Sequence, residues 1–406
     1  SLVDQWGVPI NAALVDQDSR ITTNATNIAA LQSIQSQGIY IPPSWGQFWR
    51  PARNDAGVSR ARIICVGGSM TEGYYSSDTL QDSWVGKMRT AVQSAYGDGG
   101  AGMFSTSRTD VISSATAGAV TEWEGNGSFA TTTGPWAAGA QFFGPGISFI
   151  TTTAAATATF TRLRGTSIRM FNISGSAPRA PFTYSIDGGP PVNVIVPTGT
   201  TAIQETEVTG LSNTDHTVVI TWNGVPGDTL SFVGVSAYNS TGVVVDNLGR
   251  AGSLAANWSV ASALGPAYNG GPSYPGDLVI TGFGPNDAAS SVDADTWIQS
   301  VATYLNTVRQ ATNGETDIIF VHHHFGNFTN PQFYANYASR MRAIADNYNA
   351  AMVNLWAVGR NSWDYWNSFG YWGDANDPGP SGTDNIHASN AGHQFISDTI
   401  TPIVMS

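Results

Sequence analysis

The apolar pattern changes character three times along the chain. Near the start, Leu14, Ile21 and Ile28 recur at every seventh position, and Asn24 and Leu31 form a second seven-spaced row three residues later. An a/d repeat sustained over about three heptads predicts a short coiled coil across residues 1–40, with Asn24 fixing register and oligomer state at some cost in stability. Gly38 and the pair Pro42-Pro43 stop that helix. One amphipathic helix folded onto the body is the other reading. The narrow apolar stripe favours an oligomeric, trimeric stalk.

From Arg60 the pattern becomes α/β. Ala61-Arg62-Ile63-Ile64-Cys65-Val66 is a near-continuous apolar run, as expected of a parallel strand covered on both faces. A tight turn, Gly67-Gly68-Ser69, follows it, and then an amphipathic helix around Trp84, Val85, Met88 and Val92. Between about Gly118 and Tyr238 helical periodicity disappears. Segments 157–161, 167–170, 182–186 and 216–222 alternate in the manner of strands, with turn signals at Asp187-Gly188-Gly189 and Asn223-Gly224. Short strands at this spacing predict an antiparallel, jelly-roll-like β-sandwich inserted into the α/β unit.

After Val243 the α/β character resumes. Strands are predicted at 243–246, 277–281 and 317–321, and helices at Ala288–Ala311, Phe333–Ala345 and from about Ser389. This alternation implies a doubly wound parallel sheet, whose ligands bind beyond the carboxyl ends of the strands. The predicted organisation is a stalk at 1–40, a first α/β part at 41–118, the β insert at 119–242 and a second α/β part at 243–406.

Composition narrows the functional classes. Only 11% of the 406 residues are charged, against roughly 25% in ordinary soluble domains. Such a polar, weakly ionic surface fits a secreted protein or a viral fibre. The net charge is −12, with 17 basic and 29 acidic residues and no run of Lys or Arg. Nucleic acid and anionic membrane surfaces are disfavoured as partners, and a neutral polymer or small neutral ester fits better. The single cysteine, Cys65, lies inside an apolar strand and reads as a small buried hydrophobe. No stretch approaches the ~20 apolar residues of a membrane span. No secretion signal opens the chain, which starts at Ser1 and reads as a piece of something longer.

Candidate chemistry sits just after the strand ends. Ser69 follows two glycines that permit a sharp turn, at a helix N-terminus that offers N–H groups to an anion. Thr71 replaces the last glycine of a G-x-S-x-G elbow, so the turn alone says little. At the other end lies Asp384-Asn385-Ile386-His387. A serine needs a base, and the base works best when a carboxylate holds its tautomer. Three residues of separation would place both side chains on one turn. Asn286 in Gly284-Pro285-Asn286-Asp287 and Gly252 at the end of Asn247-Leu248-Gly249-Arg250-Ala251-Gly252 both follow strands. With the Ser69 N–H they would make three donors for one oxyanion.

Taken in order, Gly-Gly-Ser-Met-Thr, Asn-x-Gly-x-x-Gly, Gly-x-Asn-Asp and Asp-x-x-His resemble the four blocks of the SGNH (GDSL-like) hydrolase family. The resemblance covers roughly 60–118 and 243–406. It implies a flavodoxin-like α/β fold and a serine esterase that uses no cofactor. Ser69 would be nucleophile, His387 base and Asp384 its orienting carboxylate, with Ser69, Gly252 and Asn286 forming the oxyanion hole. The first block departs from the family's Gly-Asp-Ser-Leu by having Gly68 in place of the Asp.

Aromatics at Trp363, Tyr365, Trp366, Tyr371 and Trp372 precede Asp384. They either line the site as platforms for sugar rings or pack under a long loop. His322-His323-His324 invites a metal reading, but alternation lets only His322 and His324 share a face and no third ligand is evident; no metal is expected. His393 is expected in the last helix's first turn, and His216 in a structural role within the insert. The reading is an esterase removing acetyl or other small acyl groups from a surface polysaccharide or glycan. A trimeric phage tail or receptor-binding protein, extracellular or on the virion, is the expected setting. The alternatives are a lipase or thioesterase, and a non-catalytic glycan-binding adhesin.

Overall fold

A computed structural model of the chain describes residues 38–108, 130–139, 144–176, 179–259, 276–323, 331–374 and 383–406. Of the coiled coil expected across 1–40, residues 1–37 lie outside the described residues, and Ile39–Tyr40 at its end form a strand.

The apolar run at Ala61–Gly67 is buried along its whole length and forms a strand inside a six-stranded sheet. In space the order is Ile39–Tyr40, Ala351–Asn354, Asp317–His322, Leu278–Phe283, Ala61–Gly67, Val243–Asn247. Every neighbouring pair is parallel except the short edge strand Ile39–Tyr40, which runs antiparallel to Ala351–Asn354. Alternation along the Ser69 strand divides its side chains between two layers. Ile63 and Cys65 pack with helices Trp84–Tyr96 and Asn390–Met405 and with Trp45 and Trp49. Ile64 and Val66 pack on the other face with Trp297, Leu305, Tyr337 and Met341 from helices Ala294–Ala311 and Pro331–Tyr348. The result is mixed α/β with a parallel sheet covered on both sides.

One helix differs from expectation. The single helix expected at Ala288–Ala311 is two, Pro285–Ala289 and Ala294–Ala311. Ser291 between them adopts a left-handed φ of 56°, and the Asp293 side chain caps the second helix by accepting from Asp295 N and Thr296 N. Strand Ala351–Asn354 was too short and too mixed to be read from the sequence.

Among the described residues, the strands between the first and second α/β parts pair antiparallel in one hydrogen-bonded sheet of nine strands. Segments expected as four separate strands belong to three, because 157–161 and 167–170 are parts of one strand, Ala156–Ile173, which pairs along its length with Ile203–Trp222. The ribbon is interrupted by register shifts, and Arg162 has φ 59°. A bend there explains the core. Phe160 pairs near one end of the ribbon with Val218, whereas Phe232 pairs with Asn172 near the other, roughly 40 Å along a straight strand. Yet the two rings lie 5.8 Å apart, and Phe182 meets Phe232 edge-on at 6.3 Å. The sheet folds back so that its halves share one core.

That sheet begins earlier than the expected boundary at 119. Gly102–Ser105 already pairs with Leu230–Tyr238. It is also joined to the α/β part: Met103, Phe171, Ile173 and Val233 share an apolar cluster with Ile64 and Val279. Asp246, fully buried, accepts from Met103 N (2.7 Å) and pairs with Arg62. His216, buried in the β region, joins Asp187 Oδ2 (2.6 Å) to Ser212 O (2.8 Å). No helix among the described residues is long and apolar enough to cross a membrane.

Candidate active site

Gly67 ends the strand Ala61–Gly67, Gly68 caps the four-residue helix Ser69–Glu72, and Ser69 stands at the carboxyl edge of the sheet, 8% exposed. His387 reaches it from strand Thr383–Ala388, directly ahead of the last helix, whose N-cap Ser389 accepts from Gly392 N. His387 Nε2 lies 2.8 Å from Ser69 Oγ although 318 positions separate them in sequence. The Asp384–His387 segment is an extended strand instead of the expected single turn. The Asp384 side chain lies outside the described residues.

The loop after Val243–Asn247 is drawn against the serine turn. Arg250 N donates to Gly67 O at 2.9 Å, and Ala251 N donates to Glu72 Oε2 at 2.5 Å. Glu72 is 1% exposed. Its carboxylate therefore ties the second block to the first, a link that no motif announced. Gly252 then takes φ 73°, a conformation that suits glycine and strains other residues. No described residue accepts from the N–H of Ser69 or of Gly252.

Asn286 arrives from the third loop. Its Nδ2 donates one hydrogen to Ser253 O at 3.0 Å, and a Cβ built at Gly68 would lie 2.9 Å from that same nitrogen. The second amide hydrogen is thus beside the serine turn. Gly68, Ser69, Ser253, Gly282, Asn286 and His323 line a recess of about 10 Å³, the room of one water-sized group. Asp287, next to Asn286, accepts from Ala255 N at 3.0 Å, and burial pushes its carboxyl up to about 7.

The aromatic segment divides. Trp366 and Trp372 are 2% and 1% exposed and pack with Tyr371 and Phe395 under the last helix. These two platforms expected at the site are core. Trp363 stacks on Trp372 at 6.1 Å, and Tyr365 packs against Phe369 at 4.9 Å. Among the described residues, the rings that flank His387 are Tyr74, with centroids 4.5 Å apart, and Tyr75, parallel to it at 5.9 Å. The sequence offered a weak signal for them, two tyrosines just past the serine turn.

His322 and His323 are both fully buried, and burial lowers His323 to about 3. His324 lies outside the described residues. His393 is in the last helix's first turn. Its Nδ1 accepts from Trp84 N (3.3 Å), so the proton sits on Nε2 and is donated to Tyr74 O (3.1 Å). Burial lowers its pKa to about 4.

The model of the GDSL-like Lipase/Acylhydrolase family matches residues 211–395 of the chain. That stretch holds Gly252, Asn286, Asp384 and His387, while Ser69 lies ahead of it in the chain. Among solved structures, a peptidoglycan O-acetylesterase shares the fold over 88% of this chain and 95% of its own, with a TM-score of 0.62 at 16% identity. A two-domain esterase active on acetylated mannans aligns over 91% of this chain and 56% of its own, with a TM-score of 0.42 at 12% identity. A family two carbohydrate esterase from Clostridium thermocellum aligns over 63% and 93%, with a TM-score of 0.29 at 14% identity. No curated protein matches the chain in sequence.

Proposed function

We propose that the protein is a serine esterase that removes acetyl or similarly small acyl groups from a polysaccharide. The observation that carries this reading is the 2.8 Å approach of His387 Nε2 to Ser69 Oγ. In the proposed reaction His387 takes the Ser69 proton as Oγ attacks the ester carbonyl. The oxyanion of the tetrahedral intermediate meets the Ser69 and Gly252 N–H groups and the second hydrogen of Asn286 Nδ2. Collapse expels the sugar hydroxyl, which receives the proton from His387. Water, deprotonated by the same imidazole, then releases the acyl group from Ser69. Asp384 is assigned the orienting carboxylate.

A fold shared with a peptidoglycan O-acetylesterase supports an O-acetyl substrate. The heptads at 1–37 are read as a trimeric stalk of a phage tail or receptor-binding protein, which a measurement of molar mass in solution tests.

Hydrolysis of acetyl, butyryl and decanoyl esters by wild type and Ser69→Ala tests the enzymatic reading. The expected result is turnover of the acetyl ester, abolished by the substitution. Equal rates for the two proteins would sink it, and a preference for decanoyl would favour a lipase.

A further inference from the structure

Tyr74 is held where it is by an unusual amount of local structure. Gly73 ends the serine helix at φ 98°, and Tyr75 on the other side has φ 68°, a left-handed conformation costly for a bulky residue. The Tyr74 N–H donates to Ser69 O at 3.0 Å. Its carbonyl accepts from the fully buried His393. Tyr75, 4% exposed, is wedged under the site, where a Cβ at Gly373 would come within 2.4 Å of its ring. Backbone strain of this kind is retained where neighbouring contacts over-determine it, and it clusters at functional sites. Tyr75 fills the interior and stacks on His387. Tyr74 is different: it remains partly exposed, with its ring tilted 49° to the imidazole at 4.5 Å.

We infer that Tyr74 is a specificity-determining residue, presenting its ring to the pyranose that carries the ester, with His393 as the positioning residue that fixes its backbone. This rests on the esterase reading and names its substrate contact. The leaving oxygen must receive its proton from His387, so the sugar bonded to that oxygen lies against whatever flanks the imidazole. A flat aromatic face suits the apolar C–H face of a pyranose, and stacking of this kind contributes selectivity without taking part in bond breaking. Of the tryptophans that the sequence offered for this task, Trp366 and Trp372 are buried in the core.

The test uses the whole chain with two esters of one acyl group: glucose pentaacetate, whose acetyls surround a pyranose, and ethyl acetate, which has none. For Tyr74→Ala the expected result is a KM for glucose pentaacetate raised about two- to tenfold more than the KM for ethyl acetate. Tyr74→Phe should stay near wild type. His393→Ala should reproduce the Tyr74→Ala pattern, and His393→Gln, which keeps a donor for the Tyr74 carbonyl, should restore KM. Binding of glucose pentaacetate to Ser69→Ala and to Ser69→Ala/Tyr74→Ala, followed by ligand-observed NMR, reads the contact without turnover. A loss equal for both esters, or binding that Tyr74→Ala leaves unchanged, overturns the inference. Wild type inert on both esters would instead fault the esterase reading, and the binding comparison would still decide the role of Tyr74.

Discussion

Single side chains at this site act through what holds them. Asn286 gives one amide hydrogen to Ser253 O and keeps the other beside the serine turn, so the donor is oriented before any substrate arrives. Asn286→Ala is therefore expected to lower kcat about 10²- to 10³-fold with a small change in KM, measured by steady-state kinetics on an acetyl ester. A KM effect with kcat intact would remove Asn286 from the oxyanion hole. Ser69, Gly252, Asn286 and His387 can be picked out of the sequence because each sits in a short motif, the first three just after strands. Glu72, Tyr74, Tyr75 and His393 cannot. Their importance lies in partners far along the chain, such as Glu72 with Ala251, or Tyr74 with His387 and His393. The aromatic cluster at 363–372 shows the converse. Its composition is plain in the sequence, but which rings face a core and which face a site depends on where the last helix docks.

At the scale of elements, strands buried on both faces are legible as continuous apolar runs, and the parallel sheet follows from them. The antiparallel sheet is legible only in kind. Alternation reveals that 157–161 and 167–170 are strand-like, but not that one strand runs through both and bends between them. A bend is set by a bulge and a left-handed residue at Arg162, for which the sequence carries no glycine or proline mark. Phe232 is where the halves meet, touching Phe160 and Phe182. Phe232→Ala should cost about 3–5 kcal/mol in urea unfolding, as for other large aromatic truncations in cores. A cost under about 1 kcal/mol would mean the halves do not share a core.

The whole molecule should register acid through a few buried groups. His323 and His393 have pKa values lowered to about 3 and 4, so the fold prefers them neutral. Their contribution is complete above the unfolded histidine value near 6.5 and is lost as pH falls toward 4. Asp287, raised to about 7, works in the opposite sense: its contribution is complete below about 4 and declines as pH rises to 7. Between pH 4.5 and 6.5 Asp287→Asn is expected to steepen the rise of stability with pH by up to about 1.4 kcal/mol per pH unit, and His393→Gln to flatten it by a similar amount. Urea midpoints across that window check both, and unchanged slopes would contradict the assigned environments.

The wide separation of Ser69 from His387 also has a consequence for synthesis. A ribosome delivers the hydroxyl early, then the whole antiparallel sheet, and the imidazole only near the end. Until that late segment emerges and settles beside the finished sheet, the serine has no proton acceptor. A translation product interrupted ahead of His387 is thus expected to be chemically silent.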